Sequence, residues 1–520
     1  MTTPPLYKSK PIPVPSIEQL KSISDKYNIK ADNLEEYQKV IGGLLESYAH
    51  IEEIYPNFDF SQPSVEKYPR SFGRKPTTSE NPLNAISWLC TIKGASEGKL
   101  AGRNIIIKDN VAIAGIPMAN GSRVLETYIP DHDATIVARL LDAGATIIAK
   151  TVCEDLCLSG SSFTSATGPV LNPNDVTRAT GGSSSGSAAL VAAGMCDLAI
   201  GGDQGGSLRI PPAWCGVVGL KPTWGLIPYT GVFPLEVTVD HAGPITKTVR
   251  DSALLLEVLA GPDGLDPRQN NVCVPVEGYV SATDDVNVSG MRVAVLKEGL
   301  ENIEADVLAV FEEAVEFIKS KLNCQVTEVS VNLHKSGVHI WNTIGIEGIH
   351  SMVFTNNSQG NNAKGFYSPQ LAQQFNQGFA QNGDLLSATN KLVIMTGDYI
   401  HSRTAGKYYC MGQNMSRALK RGYDEVLASH DVLIMPTVPT RAHPLLTTEN
   451  YSVANACGTA LGMICNTASF NVTGHPAITV DARISPEEKA KLPVGLMIVG
   501  KFWDERTILK LAHSFSTQTQ

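Results

Sequence analysis

The stretch GGSSSGSAALVAAG at 181–194, followed at 201–225 by GGDQGGSLRIPPAWCGVVGLKPTWG, decides how this chain is read. Gly181, Gly182, Gly186, Gly201, Gly202, Gly205 and Gly206 give up side-chain burial. That suits a place where main-chain N–H groups approach a ligand or the backbone takes positive φ. The serines set among these glycines are candidate nucleophiles. A flexible Gly/Ser linker is the plain alternative, but linkers do not carry an apolar helix-like tail such as Ala188, Ala189, Leu190, Val191 and Ala192.

Together the two segments resemble the signature of the amidase signature family of serine hydrolases. The likeness runs from about Leu83 to about Asp266, returns in NVTGHPAITV (471–480) and LPVGLMIVG (492–500), and is weak from 325 to 450. Within that family, the SSSGS and GGDQGGS wording is similar to that of small-amide amidases of the nitrile-degrading type and of fungal urethanases. Ser185 stands where many members carry glycine, which marks a subgroup and leaves the candidate catalytic serines untouched.

Amide hydrolysis needs a nucleophile, a base for its proton, an acid for the departing amine and donors for the oxyanion. Ser207 follows Gln204, Gly205 and Gly206, whose N–H groups can form an oxyanion nest, so Ser207 is the expected nucleophile. Lys108 closes the apolar run Ile105-Ile106-Ile107, a buried strand whose end delivers the side chain into a dry site. Desolvation there favours the uncharged amine, which is a base. Ser183 lies 24 residues before Ser207 and 75 after Lys108. The resemblance assigns Ser183 as the proton relay and implies a cis Gly182–Ser183 peptide. It implies no metal and no organic cofactor.

Gly182-Ser183-Ser184-Ser185-Gly186 also satisfies the G-x-S-x-G nucleophile elbow of α/β-hydrolases, with Ser184 at its centre and Asp431 and His475 available as triad partners in that order. The second glycine segment has no place in that scheme. Asp203 and Arg209 flank Ser207 and are expected to hold its loop by a charge-assisted bond, an ordinary surface pair being the alternative.

With 520 residues and 43% hydrophobic content the chain buries a large core. A net charge of −9 and a pI near 5.7 give no support for nucleic acid as a partner. The opening MTTPPLYKSKPIPVP has no apolar signal region, and there is no apolar run of about 18 residues. The expectation is a cytoplasmic protein without membrane attachment. Ten scattered cysteines then read as reduced thiols. Cys153 and Cys157, at i, i+4 on an expected helix, lack the second pair that zinc requires.

Strand-like runs at Ile105–Lys108, Thr146–Lys150, Leu198–Gly201, Met291–Leu296, Val432–Pro436 and Val494–Val499 alternate with helical ones. This pattern predicts an α/β fold, and the resemblance sharpens it to one large mixed twisted sheet covered by helices. Residues 71–520 form the expected catalytic domain, with 330–420 as a variable substrate-pocket region rich in aromatics, among them Trp341, Phe366 and Phe375. The GNNAKG stretch at 360–365 reads as an exposed turn. Residues 1–70 form a helical module. Ser16 caps its first helix with Gln19 at the reciprocal position, and Leu34, Tyr37, Val40, Ile41, Leu44, Leu45 and Tyr48 make a stripe that needs burial. In similar amidases such additions help make dimers.

Three functions follow as expectations. The first is a free-standing homo-oligomeric amidase for small aliphatic or aromatic amides, with alkyl carbamates such as ethyl carbamate as close relatives. The second is the hydrolase-like subunit of a tRNA-dependent amidotransferase. The third is an inactive binding protein, disfavoured because Lys108, Ser183 and Ser207 are all present.

Overall fold

The computed structural model describes residues 12–58, 67–269, 276–355, 362–447 and 449–519. The chain divides into two compact units, 1–61 and 62–520.

In the first unit, Ser16 and Gln19 cap each other's backbone at the start of helix Ile17–Tyr27, which ends on a left-handed Asn28. A second helix, Leu34–Ile54, starts with the Asn33 side chain accepting from the Glu36 N–H. Of its apolar stripe, Leu34, Ile41 and Leu45 are half-buried, and Tyr37, Val40, Leu44 and Tyr48 are exposed among the described residues.

The second unit is built on one mixed sheet of twelve strands among the described residues. Their spatial order is Arg70–Arg74, Ile86–Lys93, Thr146–Thr151, Asn104–Lys108, Leu198–Asp203, His241–Thr246, Val218–Lys221, Ala477–Asp481, Gly495–Val499, Val432–Pro436, Arg292–Leu296 and Gln325–Val329. Every expected strand is present within a few residues of its predicted bounds. Asn104–Lys108 runs parallel to both neighbours, Thr146–Thr151 and Leu198–Asp203. Arg292–Leu296 is likewise parallel to the strands beside it. The central strands around His241–Thr246 pair antiparallel.

Central strands such as Val432–Pro436 and Gly495–Val499 are buried along their whole length, which is why they read as continuous apolar runs rather than alternating ones. Helices Val249–Leu259, Ala305–Ser320 and Glu505–Thr519 bring apolar faces to the largest core cluster. Helix Ser185–Ala192 is short, and its residues through Val191 are buried. Among the described residues no helix is long and apolar enough to cross a membrane.

Candidate active site

Strand Asn104–Lys108 is apolar and buried from Ile105 to Ile107, so its C-terminal end carries Lys108 into the interior, where none of its surface is exposed. Lys108 Nζ lies 2.7 Å from Ser183 Oγ and 3.4 Å from the carbonyl oxygen of Gly202. Ser183 Oγ in turn donates to Ser207 Oγ at 3.0 Å. Lys108 and Ser183 are fully buried, and Ser207 alone of the three keeps some exposure, 6%. The chain from amine through hydroxyl to the surface-reaching hydroxyl therefore spans the wall of the site. A proton can pass along it in either direction.

The Gly182–Ser183 peptide is cis, as the resemblance implied. Gly182 N donates to Gly160 O at 2.8 Å, and a Cβ on Gly182 would sit 2.0 Å from the Ser161 carbonyl oxygen, so only glycine fits. The Ser183 carbonyl accepts from Glu154 N. Glu154 itself is wholly buried, with Oε2 accepting from Phe163 N, Thr164 N and Thr164 Oγ1. Burial pushes its carboxyl up to about 7 against those bonds.

Strand Leu198–Asp203 leads directly into the loop that holds Ser207. Gly206 takes a φ of 149°, and a Cβ there would lie 2.5 Å from Thr467 Oγ1. The loop's carbonyls are occupied. Gln204 O accepts from Trp341 Nε1 at 2.6 Å, Gly205 O from Thr467 Oγ1 at 2.6 Å, and Gly206 O from the N–H groups of Arg209 and Ile210 at 2.7 Å. The N–H groups of Gln204, Gly205 and Gly206 have no acceptor among the described residues. Fixing every carbonyl leaves those donors for an anionic oxygen.

Asp203 and Arg209 are not a surface pair. Both side chains are fully buried, joined by Arg209 Nε to Asp203 Oδ2 at 2.9 Å and Nη2 to Oδ1 at 3.1 Å. Arg209 also donates to Thr467 O and Asn471 Oδ1, and Asp203 accepts from Leu208 N and Asn471 Nδ2. Burial alone raises the Asp203 carboxyl, but the charge and hydrogen bonds of Arg209 outweigh it and hold it far below the usual range. This clamp fixes the backbone on both sides of Ser207.

The elbow arrangement is not assembled. Ser184 Oγ is spent on Gly202 O at 3.0 Å, Asp431 pairs with Arg292, and His475 bonds Thr473 and Asp424. Burial lowers His475 to about 4. The helix expected to carry Cys153 and Cys157 is also absent. Asp155–Cys157 is a single tight turn with positive φ at Leu156 and Cys157, and both thiols turn to Asn120 Oδ1 at 3.5 and 3.2 Å. Burial pushes the Cys157 thiol up, but Cys153, Lys108 and Ser183 together pull it below its ordinary value. Among the described residues no group of three or more His, Cys, Asp or Glu could hold a metal ion.

Ser207 opens onto a cleft of about 30 Å³ lined by Gln204, Gly205, Gly206, Leu235, Trp341 and Ile464 among others. Beside it lies an aromatic cavity of about 250 Å³ whose lining includes Tyr128, Tyr229, Phe233, Phe366 and Phe375. Gln204 of the cleft and Tyr229 of the cavity are bonded to each other, Gln204 Nε2 donating to Tyr229 OH at 2.7 Å. Of the 360–365 turn, Gly360 and Asn361 lie outside the described residues. Sequence reasoning offers Trp341 only as one of several aromatics and misses Thr467 and Tyr229. Asn471 opens the C-terminal segment marked by the resemblance, which is the available signal for it.

The Amidase family model matches residues 82–509. An enantioselective amidase from Rhodococcus rhodochrous is 43% identical over 506 residues, covering 96% of this chain and 95% of that protein. The structure of a glutamyl-tRNA(Gln) amidotransferase subunit from Thermotoga maritima superposes with a TM-score of 0.68 at 30% identity, covering 84% of this chain and 88% of that one. Peptide amidase from Stenotrophomonas maltophilia gives 0.67 at 27% identity, covering 81% and 83%. With a family match across most of its length and a relative this similar from end to end, the chain belongs to the Amidase family, hydrolases that act on amide C–N bonds.

Proposed function

We propose that the protein is a free-standing amidase that cleaves small aliphatic or aromatic primary amides to carboxylate and ammonia through an acyl-enzyme on Ser207. The observation that carries this is the continuous path Lys108 Nζ–Ser183 Oγ–Ser207 Oγ, 2.7 and 3.0 Å long. Ser207 Oγ attacks the amide carbonyl carbon while its proton moves to Ser183 and the Ser183 proton moves to the lone pair of Lys108. The resulting oxyanion is met by the N–H groups of Gln204, Gly205 and Gly206. Return of the proton along the same path to the nitrogen expels ammonia and leaves an ester on Ser207. Water attacks that ester by the same relay and frees the acid.

Alkyl carbamates such as ethyl carbamate carry the same carbonyl and fit the same scheme. The relative from Rhodococcus rhodochrous spans the N-terminal helices as well as the catalytic unit, which favours this reading over an amidotransferase component. The exposed Tyr37, Val40, Leu44 and Tyr48 stripe supports a homodimer through the N-terminal unit.

Ammonia release across acetamide, benzamide, phenylacetamide, ethyl carbamate, urea and glutamine tests the proposal. Several small primary amides should turn over, and urea poorly. Turnover confined to glutamine in the presence of charged tRNA would replace it with the amidotransferase reading.

A further inference from the structure

Gln204 lines the Ser207 cleft and is 3% exposed. Its Nε2 donates to Tyr229 OH at 2.7 Å. That hydroxyl has one proton and donates it to the carbonyl oxygen of Phe233 at 3.3 Å, so it meets Gln204 as an acceptor and fixes the side-chain amide with Nε2 toward the tyrosine. Burial holds the Tyr229 phenol well above its ordinary value, so the proton stays. Gln204 Oε1 is then left without a hydrogen-bond partner among the described residues. A buried acceptor in that condition occurs where something else supplies the donor.

We propose that Gln204 Oε1 accepts an N–H of the scissile amide, which makes the side chain of Gln204 a specificity determinant that selects amides over esters. The proposal rests on the amidase reading and deepens it. What else lines the cleft is the first argument. Leu158, Ile210, Leu235, Leu461 and Ile464 are apolar. The indole N–H of Trp341 is spent on Gln204 O, and Ser159 Oγ accepts from the Ser161 N–H. Among the described residues, Gln204 Oε1 is therefore the one side-chain nitrogen or oxygen of this lining without a partner. An amide brings an acceptor on oxygen and donors on nitrogen. Its oxygen is met by the free N–H groups of the loop, and its N–H by Gln204 Oε1.

The chemistry of the leaving group is the second argument. As the tetrahedral intermediate collapses, nitrogen takes a proton from Ser183 Oγ, which Lys108 replenishes. The oxyanion pair re-forms the carbonyl, and the C–N bond breaks with its electrons going to nitrogen. Nitrogen carries positive charge in that step, and a hydrogen bond from a charged donor is roughly twice as strong as a neutral one. The bond to Gln204 is thus tighter in the transition state than in the bound substrate, which is the condition for raising kcat. An ester has no N–H to give. It turns oxygen lone pairs toward Oε1 and leaves that acceptor unpaired. Tyr229 is then a positioning residue, since its hydroxyl decides which end of the Gln204 amide is free.

The test compares propionamide with methyl propionate in the full-length protein. Both give the same propionyl ester on Ser207, so the ratio of their kcat/KM values isolates the leaving group and cancels any general disturbance of the loop. Gln204→Met keeps the length of the side chain without its amide acceptor, and should lower the amide-to-ester ratio by about tenfold or more. Tyr229→Phe removes the group that orients Nε2 and should lower the same ratio by about threefold or more, which serves as the second variant should Gln204→Met fail to fold. A ratio unchanged in either variant, however far both rates fall, would overturn the proposal, because equal losses on amide and ester belong to a purely structural role. Failure of the unmodified protein to release ammonia from propionamide would fall instead on the amidase reading.

Discussion

Trp341 Nε1 donates a 2.6 Å hydrogen bond to the carbonyl oxygen of Gln204. A Cβ built on Gly205 would already touch the indole at 3.4 Å, so the ring both braces the loop and occupies one of its carbonyls. Trp341→Phe keeps most of the bracing and removes the donor. We expect kcat to fall about tenfold with a smaller change in KM, because loop orientation matters most when the oxyanion forms. Steady-state kinetics on acetamide decides it, and a change in KM alone would refute this role for Trp341.

Ser207→Ala should lower turnover by at least about a thousandfold and abolish labelling by a fluorophosphonate. Ser184→Ala should retain substantial activity, since Ser184 Oγ only bridges to Gly202. Mass spectrometry of the labelled peptide locates the adduct. Finding it on Ser184 would discard the Lys108–Ser183–Ser207 scheme.

Arg209→Met strands Asp203 in the interior with its main counter-charge gone. Removal of one partner from a buried pair costs about 3–5 kcal/mol. The loss should appear in urea unfolding, and the double variant Asp203→Asn/Arg209→Met should recover part of it. No recovery would mean that Arg209 acts through its bonds to Thr467 and Asn471 rather than through Asp203.

Glu154 gives a pH signature. Burial raises its folded-state value from 4.5 to about 7, so between those values the folded protein binds more protons than the unfolded chain. Its contribution is therefore most favourable below the unfolded value and is lost as pH rises through 7. Glu154→Gln keeps an oxygen for Phe163 and Thr164 and cannot ionise. Its stability relative to the unmodified protein should improve by up to about 3 kcal/mol between pH 4.5 and 8. Urea unfolding at several pH values would show a flat difference if the carboxyl titrates normally.

The strands were legible because buried central strands are continuous apolar runs: Ile105–Lys108 and Val432–Pro436 declare themselves by composition. Ser207 and its glycines were legible for the opposite reason, that backbone so stripped of side chains must serve something other than packing. What escaped was long-range. Nothing local in Thr467 says that its hydroxyl will hold Gly205, and nothing near Tyr229 says that it will meet Gln204. The Cys153–Cys157 helix failed because positive φ at Leu156 and Cys157 turns the chain, a conformation that apolar spacing does not encode. The bond between Asp203 and Arg209 was expected, but its complete burial was not legible, because it depends on walls contributed by residues 467–471.

Those walls arrive late in synthesis. Strand Val218–Lys221 pairs with Ala477–Asp481, and the loop bearing Ser207 is pinned by Thr467 and Asn471, more than 250 positions downstream. Until those residues are made, Val218–Lys221 is an open edge of the N-terminal strands and the loop bearing Ser207 lacks two of its anchors. The unpaired edge and the unanchored loop thus persist for the same interval. One closing event, the docking of the last strands, ends both conditions at once.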